Sequence, residues 1–392
     1  MAPTAPSTTT LTFAVDLHLL VGLAVAVAFS LLISFLPSLQ TSRGLTLVSL
    51  LGSVVYHWRV FTGFCVVCGI GYAAARWLGA EANGARRWHR ACFGIVLLAT
   101  VFTWGRVQHW DHPITGLGPM PVVLYALDMW LALRLVSLFW EVGSGTIEAP
   151  SFRRYVLWTC LPFTLGGPLL RFSQMPMTIQ IDRGLWGSSK WWMDAFTAAA
   201  KFVLGIALGV GQHFLQGHWP AARLWNNAVG TFLTGPVGFY LTAAGYLQLM
   251  EVFGQPAGFR LPPSFNYPLG RENISKFWMN WNMTATFLFR DYLFYNRWGF
   301  RNYNVYFNTI LLFTLVGLWH AANGYWILWG FLHGLLFSGY LIWRKYSNRL
   351  PHIPLRGTAF SNAAARVLTY VVVCMCWYLP SKIIQKLPAV SL

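Results

Sequence analysis

The sequence predicts an all-α polytopic integral membrane protein, and three observations predict it. Of 392 residues, 56% are hydrophobic and only 10% are charged, against roughly 25% Asp, Glu, Lys and Arg in soluble domains. The mean hydropathy is +0.49. Apolar runs recur along the whole chain with little charge inside them, so a division into soluble domains of about 150 residues each fails. A spanning helix takes about 20 mostly apolar residues, which leaves room for roughly nine to eleven of them. The 21 Trp, 29 Phe and 16 Tyr exceed what interfacial belts use. Many lie in amphipathic stretches, which adds re-entrant or interfacial helices around a central tunnel in a single domain, 1–392.

Residues 17–36 form the first strong apolar run, and Pro37 ends it. The run 45–56 is apolar but short, whereas 60–78 is long enough to cross. A polar loop with four arginines is expected between Arg76 and Arg90, followed by a run at 91–104. The turn-rich stretch QHWDHPITGLGPMP precedes a run at 122–140, and EVGSGTIEAPSFRR forms a second loop. Residues 155–170 are interrupted by Pro162 and by Gly166, Gly167 and Pro168. Runs at 196–214, 228–250, 306–320, 326–343 and 364–379 complete the spans. Residues 253–307 differ in kind, being aromatic, polar and charged.

Charge narrows the partners. The 28 Lys and Arg against 11 Asp and Glu, a net charge of +17, would suggest nucleic acid in a soluble protein. In a membrane protein they read as basic loops beside anionic headgroups, with the lipid bilayer as partner and no nucleic acid. Arg344, Lys345, Arg349, Arg356 and Arg366 crowd the last loop and place it in the cytoplasm, with the N-terminus outside. The first 16 residues carry no Lys or Arg, so the basic region of a cleavable signal is missing.

Six cysteines make no disulfide framework. Cys65 and Cys68 lie inside FTGFCVVCGIGYAAA, Cys374 and Cys376 fall in a span, and Cys92 and Cys160 are isolated, which suits small packed residues rather than a redox or zinc site. The run from His109 to His112 has no second ligand cluster nearby, so a structural or surface role outranks zinc and no metal is expected. His213 and His218 read as interfacial. Asp128, Arg134 and Glu141 share one apolar segment, where pairing inside the bundle is expected and a proton or ion pathway is the alternative.

The informative region is 265–334. His320 sits near the end of an apolar run, in GLWHAANGYW. An ionisable residue at membrane depth usually faces a cavity, and a neutral imidazole there can act as general base. Gly317 and Gly324 flank it and Asn323 lies close, permitting close approach of a substrate or a helix. Trp326, Trp329 and His333 share one helix side, as an aromatic stripe whose histidine, taken alone, reads as satisfying a neighbouring carbonyl. Ser275, Trp278 and Asn282 are spaced to share a second helix face, beside the stripe of Trp281, Ala285 and Leu288. Arg290 and Asp291 follow as a charged pair, serving either an interfacial salt bridge or binding.

FNYP (265–268), FWMNWN (277–282), RDYL (290–293), GLWH (317–320) and GFLHG (330–334) are each weak alone, but their joint order and spacing is specific. Together they resemble the membrane-bound O-acyltransferase family, in particular the bacterial branch of alginate O-acetylation and teichoic-acid D-alanylation. GGPLLRF (166–172) is similar to that family's proline- and glycine-rich segment, while the first 150 residues match only in being hydrophobic.

The resemblance implies acyl transfer from a thioester to an alcohol, with the catalytic signature at 265–334. It places the near-invariant histidine on His320 and its partner position on Asn282. Trp278, Trp281, Arg290, Asp291, Trp319, Asn323 and His333 become the substrate- or tunnel-lining set. It implies no bound cofactor, with acyl-CoA or an acyl-carrier-protein thioester as donor substrate and a polysaccharide or glycan as acceptor. A lipid or secondary metabolite is the alternative acceptor. A carrier or periplasmic partner protein and the bacterial inner membrane are implied in the same way. The sequence departs at MNWN (279–282), where the bacterial branch usually has R-R-W-H, and at Ala321, where it usually has glycine. Asparagine at 282 is similar to the eukaryotic lipid- and sterol-acylating members, and it cannot act as acid or base. One base and no acyl-enzyme are therefore expected, and no G-x-S-x-G elbow is present. A transporter, the reading from another class, would show inverted repeats.

Overall fold

The computed structural model describes residues 17–109, 127–176, 178–218, 227–295, 304–347 and 358–384. Among these the regular structure is helical, with no strand beyond an isolated bridge between Leu165 and Gly167. Four of the described helices are unbroken, long and apolar enough to cross a membrane: Phe61–Gly79, Ser189–Gln212, Gly324–Ser347 and Ala359–Ile384. Leu19–Phe35, Ser42–Tyr56 and Val305–His320 are apolar but shorter. The protein is an α-helical, multi-pass membrane protein. Among the described residues the chain divides into two compact units, one within 199–245 and 264–392, the other within 16–198 and 246–263.

The second of these units holds helices α1 (Leu17–Phe35), α2 (Ser42–Tyr56), α3 (Phe61–Gly79), α4 (Gly84–His109), α5 (Met129–Gly143) and α6 (Phe152–Cys160). Their ends follow local chemistry. Leu36 and Leu161 each precede a proline and are extended, which stops α1 and α6. Thr41 caps α2 by accepting from Gly44 N at 3.0 Å, and Asp128 caps α5 by accepting from Trp130 N and Leu131 N at 2.7 Å. The loop expected between Arg76 and Arg90 is far shorter. α3 runs to Gly79 and α4 starts at Gly84, because Asn83 Oδ1 accepts from Arg86 N at 3.0 Å and nucleates the arginine-rich turn.

The charged trio of α5 is tied into the fold. Buried Arg134 donates to the Trp158 carbonyl at 3.1 Å and to Thr164 Oγ1 at 3.0 Å, and Asp128 attracts it. Buried Glu141 accepts from the Ser173 hydroxyl and amide. Phe29, Phe163 and Phe259 pack with centroids 5.4 to 6.3 Å apart at the core of this unit. All six cysteines are free thiols. The side chains of the His109–His112 stretch and of His213 lie outside the described residues.

Helices α7 (Ser189–His218) and α8 (Phe239–Gly254) contribute residues to both units. The first unit also holds α9 (Ile274–Trp278), α10 (Met283–Phe289), α11 (Val305–His320), α12 (Gly324–Ser347) and α13 (Ala359–Ile384). The run at 228–250 is not one regular helix, since Gly230–Gly238 is π-helical and contains Pro236. Proline lacks an N–H and its ring displaces the carbonyl four residues back. That carbonyl, of Phe232, accepts instead from the Tyr370 hydroxyl of α13.

Glycine sets the α11–α12 pairing. A Cβ on Gly317 or Gly330 would fall on the Trp326 or Phe313 carbonyl oxygen, and one on Gly334 would meet the Ile310 backbone. In lipid, helices gain little from hydrophobicity alone, so such close backbone contact is what holds them together. Around this seam Tyr240, Ile274, Phe277, Trp278, Trp281, Trp329 and Trp377 form an aromatic core.

Candidate active site

The polar segment begins with a clamp. α9 is only five residues long, capped by Asn273, whose Oδ1 accepts from Lys276 N at 2.9 Å. Its face does not continue to Asn282 as the spacing predicts. The helix stops at Trp278, and Asn282 adopts the left-handed conformation, φ 39° and ψ 57°. Asparagine tolerates that region better than most residues, at a cost that the surroundings must hold in place. Here Asn266 N donates to the Asn280 carbonyl at 3.0 Å and Met283 N donates to the Ser264 carbonyl at 2.7 Å. Arg271 closes the clamp by donating to the Asn266 carbonyl at 2.6 Å and to Asn280 Oδ1 at 3.0 Å. Nearby, Glu272 accepts from Lys276 and Arg366. Its own backbone amide first, then those two cations, hold its carboxyl down at about 2.

His320 is the last residue of α11, which Asn304 caps by accepting from Tyr306 N at 3.0 Å and Phe307 N at 3.1 Å. The half-buried imidazole of His320 stacks on Trp326, centroids 4.6 Å apart and planes at 23°. Trp329 meets it edge-on at 5.4 Å, and Trp319 lies at 4.6 Å. Asn323 is used as a cap: its Oδ1 accepts from Trp326 N at 3.1 Å and starts α12.

One cavity of about 370 Å³ joins these elements. Its wall includes Ser275, Trp278, Trp281 and Asn282 from the clamp, and Val305, Thr309, Leu312, Val316 and His320 along one face of α11. Ser275, Trp278 and Asn282 therefore come together through a turn and not through a common helix face. Trp319 and Arg290 also line it, whereas Asp291, Asn323 and His333 are not among its lining residues. Asp291 accepts from Arg290 Nε at 2.7 Å, and Arg290 lies over the Phe287 ring at 4.4 Å. His333 is fully buried, with Nδ1 2.9 Å from the Trp329 carbonyl.

Three features escaped the sequence reading. Arg344 lines the cavity with Phe337 and Leu341, a face spaced four and three along α12 that a helical wheel would have revealed. The stacking of Trp326 on His320 and the Arg271 clamp depend on tertiary approach and left no local signal. The lining contains two guanidiniums, one imidazole and one amide, no carboxylate among the described residues, and otherwise mostly apolar or aromatic groups. Such a site can bind an anion at one part, an apolar group at another, and move a proton at His320.

No family model matches the chain. The probable alginate O-acetylase AlgI of Pseudomonas aeruginosa is 26% identical over 332 residues, which cover 76% of this chain and 61% of that protein. The teichoic acid D-alanyltransferase of Bacillus subtilis is 24% identical over 293 residues, 69% of this chain and 71% of that protein. The chain is homologous to both over about seven-tenths of its length. The peptidoglycan O-acetyltransferase of Helicobacter pylori is 34% identical over 120 residues, 30% of this chain and 22% of that protein. The chain spans about three-fifths of the length of the alginate O-acetylase it matches. FWMNWN, RDYL and GLWH, three of the motifs that carry the resemblance to these acyltransferases, contribute residues to the cavity wall, and FNYP lies in the clamp, with Phe265 5.4 Å from Trp281.

Proposed function

We propose that this protein is an integral-membrane O-acyltransferase that moves an acyl group, acetyl first among candidates, from a thioester to a hydroxyl of a polysaccharide or glycan. The observation that carries the reading is one cavity wall holding both His320 and Asn282, in a chain homologous to O-acetylases and a D-alanyltransferase. His320 takes the proton of the acceptor hydroxyl as its oxygen attacks the thioester carbonyl carbon. The carbon–sulfur bond then breaks, and the proton passes from His320 to the departing sulfur. There is one base and no acyl-enzyme. General base catalysis supplies about 10²–10⁴-fold, and positioning and oxyanion stabilisation supply the rest.

Asn282 is the proposed oxyanion donor. The Thr284 hydroxyl lies 3.4 Å from its Oδ1, which leaves the amide nitrogen free to donate into the cavity. The indole face of Trp326 favours the imidazolium that forms when His320 takes the proton. Arg290 and Arg344 support an anionic donor, coenzyme A or the phosphopantetheine of a carrier protein, because guanidinium binds phosphate bidentately. The glycan acceptor follows the alginate, teichoic acid and peptidoglycan of the relatives' names. Asn282, where the bacterial branch usually has histidine, favours a lipid or secondary metabolite as the second acceptor class. A bacterial inner membrane and a carrier or periplasmic partner complete the proposal.

The test incubates the full chain in nanodiscs with radiolabelled acetyl-CoA, longer acyl-CoAs or an acyl carrier protein thioester, with and without extracted glycans and lipids. Thioester loss that requires glycan, with label recovered on it, is expected. Label on lipid would move the acceptor. Uptake of an unmodified solute into proteoliposomes, without thioester loss from any donor, would replace the enzyme with a transporter.

A further inference from the structure

Apolar surroundings make an unpaired ring nitrogen costly, and buried polar side-chain atoms are as a rule hydrogen-bonded. Three exceptions lie together beside the cavity. Nε1 of Trp278, Nε1 of Trp329 and Nε2 of His333 are buried and have no hydrogen-bond partner among the described residues. The three residues are 8%, 1% and 0% exposed. Their ring centroids are 5.2 Å apart for Trp278 and His333, 4.4 Å for Trp329 and His333, and 5.8 Å for the two indoles.

The hydrogen-bonding character of each atom is fixed. A carbonyl only accepts, so Nδ1 of His333 carries the hydrogen it shares with Trp329, and Nε2 presents a lone pair. An indole N–H only donates. The trio therefore offers two donors and one acceptor. Direct pairing satisfies at most one indole, because Nε2 has a single lone pair. One oxygen that accepts twice and donates once satisfies all three, and a water does so. A substrate hydroxyl entering by the cavity does not reach this place, since Trp329 and His333 are not among the lining residues.

We propose that Trp278, Trp329 and His333 form a built site for one buried water, and that His333 acts through it as a positioning residue. The water fixes the rotation of both indoles. Trp278 is part of the cavity wall, and Trp329 meets His320 edge-on at 5.4 Å. His333 thus holds the surroundings of the base without touching substrate.

The test uses the full chain in nanodiscs with ¹⁵N-labelled tryptophan. Trp278→Phe and Trp329→Phe assign the two indole N–H signals. Both are expected to receive magnetisation from water in the wild type. His333→Phe keeps a ring but removes the acceptor, and should shift both signals and abolish the transfer. His333→Gln, which returns an oxygen acceptor, should restore them. On the acyltransferase reading, His333→Phe also lowers kcat by about tenfold to a hundredfold with the donor KM nearly unchanged, and His333→Gln recovers most of the loss. Wild-type indole signals without water transfer overturn the proposal, whether or not any thioester turns over and whether or not the variants fold. Lost turnover with both indole signals unmoved overturns the positioning role.

Discussion

Two cavities of similar size, one in each unit, put ionisable groups to different use. The cavity of about 400 Å³ in one unit is walled by Arg76, Arg87, Glu148 and small residues such as Gly79, Ala80 and Gly145. Arg87 lies 3.4 Å from the Gly143 carbonyl, joining α4 to α5. The cavity of about 370 Å³ in the other unit is mostly aromatic and apolar, and its few polar groups include His320, Asn282, Arg290 and Arg344. Size does not separate them. The first holds charge of both signs and no histidine, while the second sets a titratable ring and an amide into a low-dielectric wall. The same contrast holds deeper in the fold. Arg134 and Glu141 bond to backbone groups and hydroxyls, whereas His320 leans on indole rings beside open space. Buried charge in one unit ties chain segments together, and the half-buried imidazole in the other borders open space.

Substitutions can break that contrast. His320→Ala should lower acyl transfer by about 10²–10⁴-fold while leaving the thermal unfolding midpoint in detergent unchanged. A matching fall in the midpoint would make His320 structural. Arg134→Met should do the reverse, stranding the Trp158 carbonyl at a cost of about 1–3 kcal/mol, with turnover per folded molecule retained. Trp326→Leu removes the ring stacked on His320. A loss of about 1 kcal/mol of imidazolium stabilisation corresponds to a roughly fivefold lower kcat, measured at saturating donor. The smallest effect is at Glu272. Its carboxyl titrates near 2 when folded against 4.5 ordinarily, so its contribution is present above pH 4.5 and fades as pH falls toward 2. Unfolding scans across that window should show a shallower acid slope for Glu272→Gln.

The sequence reading reached the helical class and picked out His320, which lines the cavity, because each rests on signals within a few residues. Apolar runs end at Pro37 and Pro162, where the chain stops its helices, and a histidine at the end of an apolar run is visible in one dimension. It erred where backbone conformation overrides periodicity. The face drawn through Ser275, Trp278 and Asn282 assumed an unbroken helix, and the left-handed turn at Asn282 is held by Ser264, Asn266 and Arg271 from a separate segment. The π-helical segment around Pro236 was legible only as a proline in an apolar run, since its relief comes from Tyr370, distant in sequence. The arginine-rich start of α4 was taken for loop because Asn83 as a cap is weaker in sequence than the run of charges.

On the proposed acyltransferase function, the thioester's acyl group enters the aromatic cavity beside His320. The most direct measurement is photolabelling with a non-hydrolysable thioether analogue of acyl-CoA carrying a diazirine in its acyl chain, followed by peptide mapping. Label is expected on residues 275–294 and 305–344, removed by excess acetyl-CoA. Competable label concentrated instead on residues 76–87 and 142–149 would contradict that placement.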